Sequence, residues 1–233
     1  MLIPFCHIVV HLYQTVISLK SILDYLTSRL DHIVYSVFDL EAAMDHFENK
    51  LGFRPVFGGH HFTRGTKNAL LYLGDSFYLE LLAVDTQNTQ IKPPRWMGVD
   101  FLTSPKITRW AVNSTDLVQD SMVLKKANPK MGDIQEGSRA LANNTVLKWQ
   151  LSMPLPEPEV ELLPFLIDWR ASAQHPSSTL EKRCSLVEFS ATHPQPEQVR
   201  TTLESLGLPL SIDKGEEIRI WAVIKGPKGS ITL

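Results

Sequence analysis

Between Leu30 and Val84 the apolar residues switch from a period of two to the period of a helix and back, which predicts strand, helix and three strands in that order. Over Leu30 to Val37 the residues alternate, with Leu30, His32 and Val34 on one face and Asp31, Ile33 and Tyr35 on the other. Asp39 then stands where a helix N-cap is wanted. Leu40, Ala43, Met44, Phe47 and Leu51 fall on one stripe, and Gly52 follows where a left-handed residue would end the helix. A helix with one apolar stripe lies on a sheet. Arg54 to Phe57, Asn68 to Leu73 and Phe77 to Val84 are the remaining strands, the last two joined by a Gly74-Asp75 turn.

After a proline-marked connection the pattern restarts. Ile107 to Asn113 reads as a strand, and Asp116 caps a helix that Asn128-Pro129 stops. Ile134 to Arg139, Thr145 to Met153 and Leu162 to Trp169 read as strands, with PLPEPEVE as a loop before the last. Setting Asp39-Leu40 against Asp116-Leu117 makes Arg109 the counterpart of His32. A shorter third unit begins at Cys184, its helix introduced by Pro194 and Pro196 and striped by Val199, Leu203 and Leu206. The expected organisation is an α+β chain of repeated βαβββ units over residues 29–85 and 106–170, with a third unit over 184–233 packed on the pair, at an edge of the sheets. Residues 1–28 form an appended apolar segment that lacks the basic start and small-residue cleavage site of a signal peptide and should contact the sheets little.

Composition narrows the function classes. The 233 residues carry a formal charge of −2 with mixed signs, which gives no basic field for nucleic acid, and no membrane association is expected. Two cysteines, Cys6 and Cys184, form neither a metal motif nor a disulfide framework, which suits a reducing, cytoplasmic setting. No phosphate loop, nucleophile elbow or Cys/His pair is present.

Candidate chemistry lies on the first unit. A mid-strand His32 on an inward face is either a metal ligand or a hydrogen-bonded core imidazole. Glu80, between Leu79 and Leu81, is costly to bury unless paired, protonated or coordinated, so it is a ligand or a general base. Arg109 cannot coordinate a metal. It either pairs with Glu80 or holds an anionic ligand. GGHHFTRGTKNAL places His60, His61, Arg64, Thr66 and Asn68 near one end of the first unit, and His175 either closes the site or belongs to a surface turn, the simpler reading.

The stretches LDHIVYSVFDLEAAMDHFENKLGFRPV, GGHHFTRGTKNALLYLG and YLELLAV resemble the βαβββ module of the vicinal oxygen chelate superfamily, in its glyoxalase-like branch. That resemblance implies paired modules forming cupped mixed sheets with the helices outside. It also implies a divalent metal (Zn, Fe, Mn or Ni) bound from the first and fourth strands, here at His32 and Glu80, with Asp168 the one acid available for a third ligand. Glu80 would double as the catalytic carboxylate, and His60, Asn68, Arg109 and Trp169 would contact a small-molecule substrate. The implied function is a metal-dependent lyase, isomerase or dioxygenase acting on a small oxygen-rich molecule. The alternative is a sequestering protein of the same fold without catalysis. A homodimer is compatible with either.

Overall fold

In the computed structural model, which describes residues 23–140 and 146–233, two βαβββ units join through their first strands. The first unit is β1 (Leu30–Ser36), α1 (Leu40–Leu51), β2 (Val56–His61), β3 (Thr66–Gly74) and β4 (Phe77–Val84). The second is β5 (Lys106–Asn113), α2 (Leu117–Ala127), β6 (Ile134–Ala140), β7 (Val146–Ser152) and β8 (Phe165–Asp168). Their strands form one eight-stranded mixed sheet in the order β2-β3-β4-β1-β5-β8-β7-β6. Within each unit the first and fourth strands are parallel, and β1 meets β5 antiparallel at the centre. The sheet curls so that its outer strands approach each other: Arg64, in the β2–β3 turn, donates to the Gln135 side chain on β6 at 2.8 Å.

The convex face carries the helices. Asp39 caps α1 by accepting from Ala42 N at 2.9 Å, and Gly52 closes it at φ 74°. Leu40, Met44, Phe47 and Leu51 are the buried stripe of that helix. They pack with Ile33, Leu71, Leu79, Trp110 and Leu166 from the sheet and Leu117 and Leu124 from α2. Arg54 is drawn out of the expected strand by Glu41, Asp45 and Glu48 on α1, so β2 begins at Val56.

The third unit repeats the plan with β9 (Ser185–His193), α3 (Pro196–Ser205), β10 (Ser211–Lys214), β11 (Arg219–Lys225) and β12 (Ser230–Thr232), in sheet order β10-β9-β11-β12. It lies across the helix-bearing face rather than along an edge. Phe189, Ala222 and Ile224 join the same core as Trp110, whose ring stands edge-on to Phe189 at 5.4 Å. Burying that apolar face yields more than covering a sheet edge would. The N-terminal segment also departs from expectation where it is described. Residues 23–29 are helical, Leu26 is buried in the core, and Arg29 donates to the carbonyls of Asn113 and Leu206. Residues 1–22 lie outside the described residues. No helix among the described residues is long and apolar enough to cross a membrane.

One irregularity in β1 matters for everything that follows. Leu30 pairs with Val112 and His32 with Ala111, leaving Asp31 as an extra residue, a β-bulge. The simple alternation expected of this strand is therefore broken. Leu30 and Ile33 both enter the convex core, while Asp31 and His32 stand together, their side chains 2.7 Å apart.

Because Phe47 is 1% exposed and Phe62 is 73% exposed, the two phenylalanines should respond oppositely to truncation. Phe47→Ala is expected to lower unfolding free energy by about 3–5 kcal/mol, and Phe62→Ala to change it by less than about 0.5 kcal/mol. Urea unfolding of both variants checks this.

Candidate active site

The concave face of the sheet is the cup. Its floor is polar on the first unit's side and apolar on the second's. Glu80 projects from β4 between Leu79 and Leu81, which face the convex core, and it is 4% exposed. Asn68, two strands from β1, donates to Glu80 Oε1 at 2.6 Å. His32 Nε2 lies 3.7 Å from Glu80 Oε2, and His61 Nε2 lies 3.8 Å from Oε1. One buried carboxylate is thus flanked by two imidazoles and capped by an amide.

Each imidazole is fixed from behind. His61 Nδ1 is 2.9 Å from the Thr66 hydroxyl across the β2–β3 hairpin. His32 donates from Nδ1 to Asp31 at 2.7 Å, stacks on Tyr78 at 5.0 Å and meets the edge of Phe165. Asp31, fully buried, also accepts from His175 Nε2 at 3.0 Å, Trp169 Nε1 at 2.8 Å and Asn113 Nδ2 at 3.0 Å. Burial opposes ionisation of Asp31, but its bonds to His175 and His32 hold the carboxyl below its usual range. Burial likewise opposes a charged His32. The bond to Asp31 and the nearby charges of Asp31 and Glu80 win, and the imidazole pKa is raised.

Two chambers lead to these groups. The inner one, about 40 Å³, is walled by His32, Tyr78, Glu80, Phe165 and Trp169 among others. The outer one, about 500 Å³, opens between β2 and β6 and includes His60, Phe62, Arg64, Gln135 and Met153. His61, Trp96, Trp149 and Leu151 belong to both.

Several expected site residues fall elsewhere. Arg109 is the β5 partner of Val34, on the concave side, but it does not reach Glu80. Its guanidinium, 2% exposed, donates to the carbonyls of Thr108, Leu155, Glu157 and Glu159 and so holds the PLPEPEVE loop against the sheet. Burial pushes its pKa down against the fields of Glu161, Glu157 and Glu159. It therefore does not form the expected pair with Glu80, and it lines neither chamber. Asp168 is also misplaced for the expected metal set. Phe165, Ile167 and Trp169 face the cup, so the alternate residue Asp168 faces away, where Arg170 Nε donates to it at 2.8 Å. His60 lies in the outer chamber, with Nδ1 2.7 Å from Asp85 Oδ2. Asn68 and Trp169 do line the inner chamber.

The donor set decides how a metal would fare. Two imidazoles and a carboxylate are chemically suitable ligands. Among the described residues, however, no three His, Cys, Asp or Glu side chains are placed to hold a metal ion. Asp168 is turned away, and Glu80 Oε1 already accepts from Asn68. The expected set of His32, Glu80 and Asp168 is therefore not assembled. Asp31 had no sequence-based role, His61 entered only as one of the loop's polar residues, and His175, which the sequence read more simply as a surface turn, does reach the site through Asp31. For His61 the parity of the hairpin was the available signal, since Gly59 pairs with Asn68 and His61 with Thr66. For Asp31 the bulge conceals it.

A cupped sheet of two βαβββ units with its polar groups on the first and fourth strands defines a protein of the vicinal oxygen chelate fold. The chain belongs to the glyoxalase-like domain family, whose model matches residues 30–207. None of the curated proteins matches the sequence. Among solved structures, a hypothetical protein from Staphylococcus aureus is similar at TM-score 0.56 and 18% identity, over 87% of this chain and 83% of that one. Methylmalonyl-CoA epimerase from Mycobacterium tuberculosis is similar over 60% of this chain and 85% of its own, at 21% identity and TM-score 0.39. A hypothetical protein from Bacillus halodurans covers 60% of this chain and 91% of its own at 15% identity and TM-score 0.38. These likenesses concern fold.

The shifts of Asp31 and His32 set a pH dependence. The lowered Asp31 contributes stability above its ordinary value of 3.8 and loses it as pH falls below that. The raised His32 contributes below its ordinary value of 6.5 and loses that contribution as pH climbs through its folded value. Asp31→Asn should cost about 3–5 kcal/mol near pH 6, remove the acid slope and change the His32 slope, where only the Glu80 charge would still oppose burial. Denaturant midpoints of wild type and variant from pH 3 to 9 provide the comparison.

Proposed function

We propose that this chain is a glyoxalase-like enzyme that moves a proton on a small, oxygen-rich molecule, with Glu80 as the base. The observation that carries the reading is the placement of the Glu80 carboxylate, buried at the end of a cavity between two imidazole nitrogens at 3.7 and 3.8 Å. A carboxylate withdrawn from water and aimed at a substrate carbon can take a proton from the position beside a carbonyl. The negative charge then develops on the substrate oxygen. His32, whose protonated form is favoured by Asp31 behind it, is the group that would stabilise that oxygen or hand it a proton, and His61 stands on the other side of the carboxylate. Asn68 orients Glu80, and His60 and Trp169 are contacts for the remainder of the molecule. The chain's two cysteines form no disulfide framework, which suits a cytoplasmic setting.

One observation favours a second reading, a sequestering protein. The Asp31 carboxylate takes four protein donors, and Glu80 already takes the Asn68 amide, so the site is held in place without a substrate.

Exchange of carbon-bound protons into D₂O separates the two. Small α-hydroxy ketones, α-hydroxy acids and malonyl-type thioesters are followed by proton NMR, with metal content determined on the same samples. The enzyme reading expects exchange of one class by wild type and a loss of about 10²–10⁴-fold in Glu80→Gln, the usual contribution of a general base, with the fold unchanged. Undiminished exchange in Glu80→Gln would remove Glu80 as the base. Saturable binding without exchange of any compound would favour the sequestering protein.

A further inference from the structure

We propose that the cleft between the third unit and the adjoining ends of β1 and β5, on the face of the sheet opposite the cup, is a second binding site, one for a small organic carboxylate with an apolar body. Its ligand is independent of whatever the cup holds. The cleft encloses about 460 Å³, within the range of small-molecule sites. Ile107 and Ile220, both members of the convex core, give it an apolar wall. β12 closes one side, where Leu233 pairs with Ala222 on β11 through both backbone groups.

The charges around this space do not cancel. Among the described residues Lys106 and Arg219 are the two Lys or Arg side chains lining the cleft, and Glu217 is the one Asp or Glu. Glu217 lies 3.6 Å from Arg219 Nε, beyond hydrogen-bond length, and its side chain is 75% exposed, so it neutralises the guanidinium weakly. Lys106, the first residue of β5 and the partner of Ser36, has no side-chain partner among the described residues. Two cations facing one cleft make it a positive space, which draws an anion.

Geometry selects the kind of anion. The Arg219 guanidinium lies over the Trp221 indole, 5.1 Å from the ring centre. Stacking holds the plane of the guanidinium while leaving its Nη edge able to donate in parallel to two oxygens. That fork matches a carboxylate lying in the same plane. A phosphate would draw on backbone N–H groups at a helix N-terminus or a glycine loop, and no helix residue and no glycine lines the cleft. Tyr35, whose ring meets the edge of Phe47, adds a phenol with no hydrogen-bond partner among the described residues. Burial raises the pKa of that phenol, so it stays a neutral donor.

Isothermal titration calorimetry with 1-naphthoate and with its neutral isostere 1-naphthamide tests this. Wild type should bind the carboxylate at least about ten-fold more tightly, the scale of one charge-assisted hydrogen bond. Arg219→Met should abolish that preference and Lys106→Met should reduce it. The Arg219 side chain is 58% exposed, so its replacement leaves the core intact. Glu80→Gln and Arg64→Met, which alter the cup, should both keep the preference. Equal affinity for the two compounds in wild type, a preference undiminished in Arg219→Met, or one lost in Arg64→Met would overturn the proposal. Inorganic phosphate that displaces 1-naphthoate at equal concentration would overturn the choice of a carboxylate.

Discussion

The structure depends on keeping one carboxylate, that of Asp31, ionised at a position with no solvent. An isolated buried charge is expensive, and the cost is met only when hydrogen-bond donors surround it. Here the donors are His32, Asn113, Trp169 and His175. They come from β1, from β5, from the residue after β8, and from the N-cap of the short 3-10 turn at Pro176–Thr179. Satisfying Asp31 therefore ties the first unit to the second and to the connection leading into the third. The same bonds orient His32 towards Glu80. Fold and site share one electrostatic requirement.

The two halves of the cup have divided their tasks. β1, β3 and β4 supply Asp31, His32, Asn68 and Glu80, while β7, β8 and the residues beyond them supply Trp149, Leu151, Phe165, Ile167 and Trp169. Arg109 shows what the second half has become. At the position corresponding to His32 it carries a permanent cation, and the protein has turned that cation into a clamp on four backbone carbonyls. A loop rich in proline and glutamate is held where a second set of functional groups would otherwise stand. The cup is thus polar on one side and aromatic on the other.

Much of the fold was legible because it rests on periodicity. The stripe of α1, its Asp39 and Gly52 caps and the recurrence of strand, helix and strands are local signals, and each appears where the sequence places it. His32 and Glu80 stand out as polar residues inside apolar strands, and the family resemblance adds Asn68 and Trp169; all four line the inner chamber. The remaining members of the site depend on features that alternation does not encode. A bulge at Asp31 reverses the parity of β1. His175 becomes a site residue only because a connection more than a hundred residues away folds back over the cup. Asp168 was assigned from residue type, although its neighbours Ile167 and Trp169 already claim the inward face. Arg109 looked available for ligand because the carbonyls that engage it belong to a loop with no periodic pattern.

The central claim is that Asp31, His32 and Glu80 act as one buried unit in which the imidazole is held between two carboxylates. Side-chain ¹H–¹⁵N NMR of His32, titrated in wild type and in Glu80→Gln, reads that unit directly. The account predicts a His32 midpoint above 6.5 in wild type that moves down when the Glu80 charge is removed. A His32 that titrates at or below 6.5 and is indifferent to Glu80→Gln would contradict it.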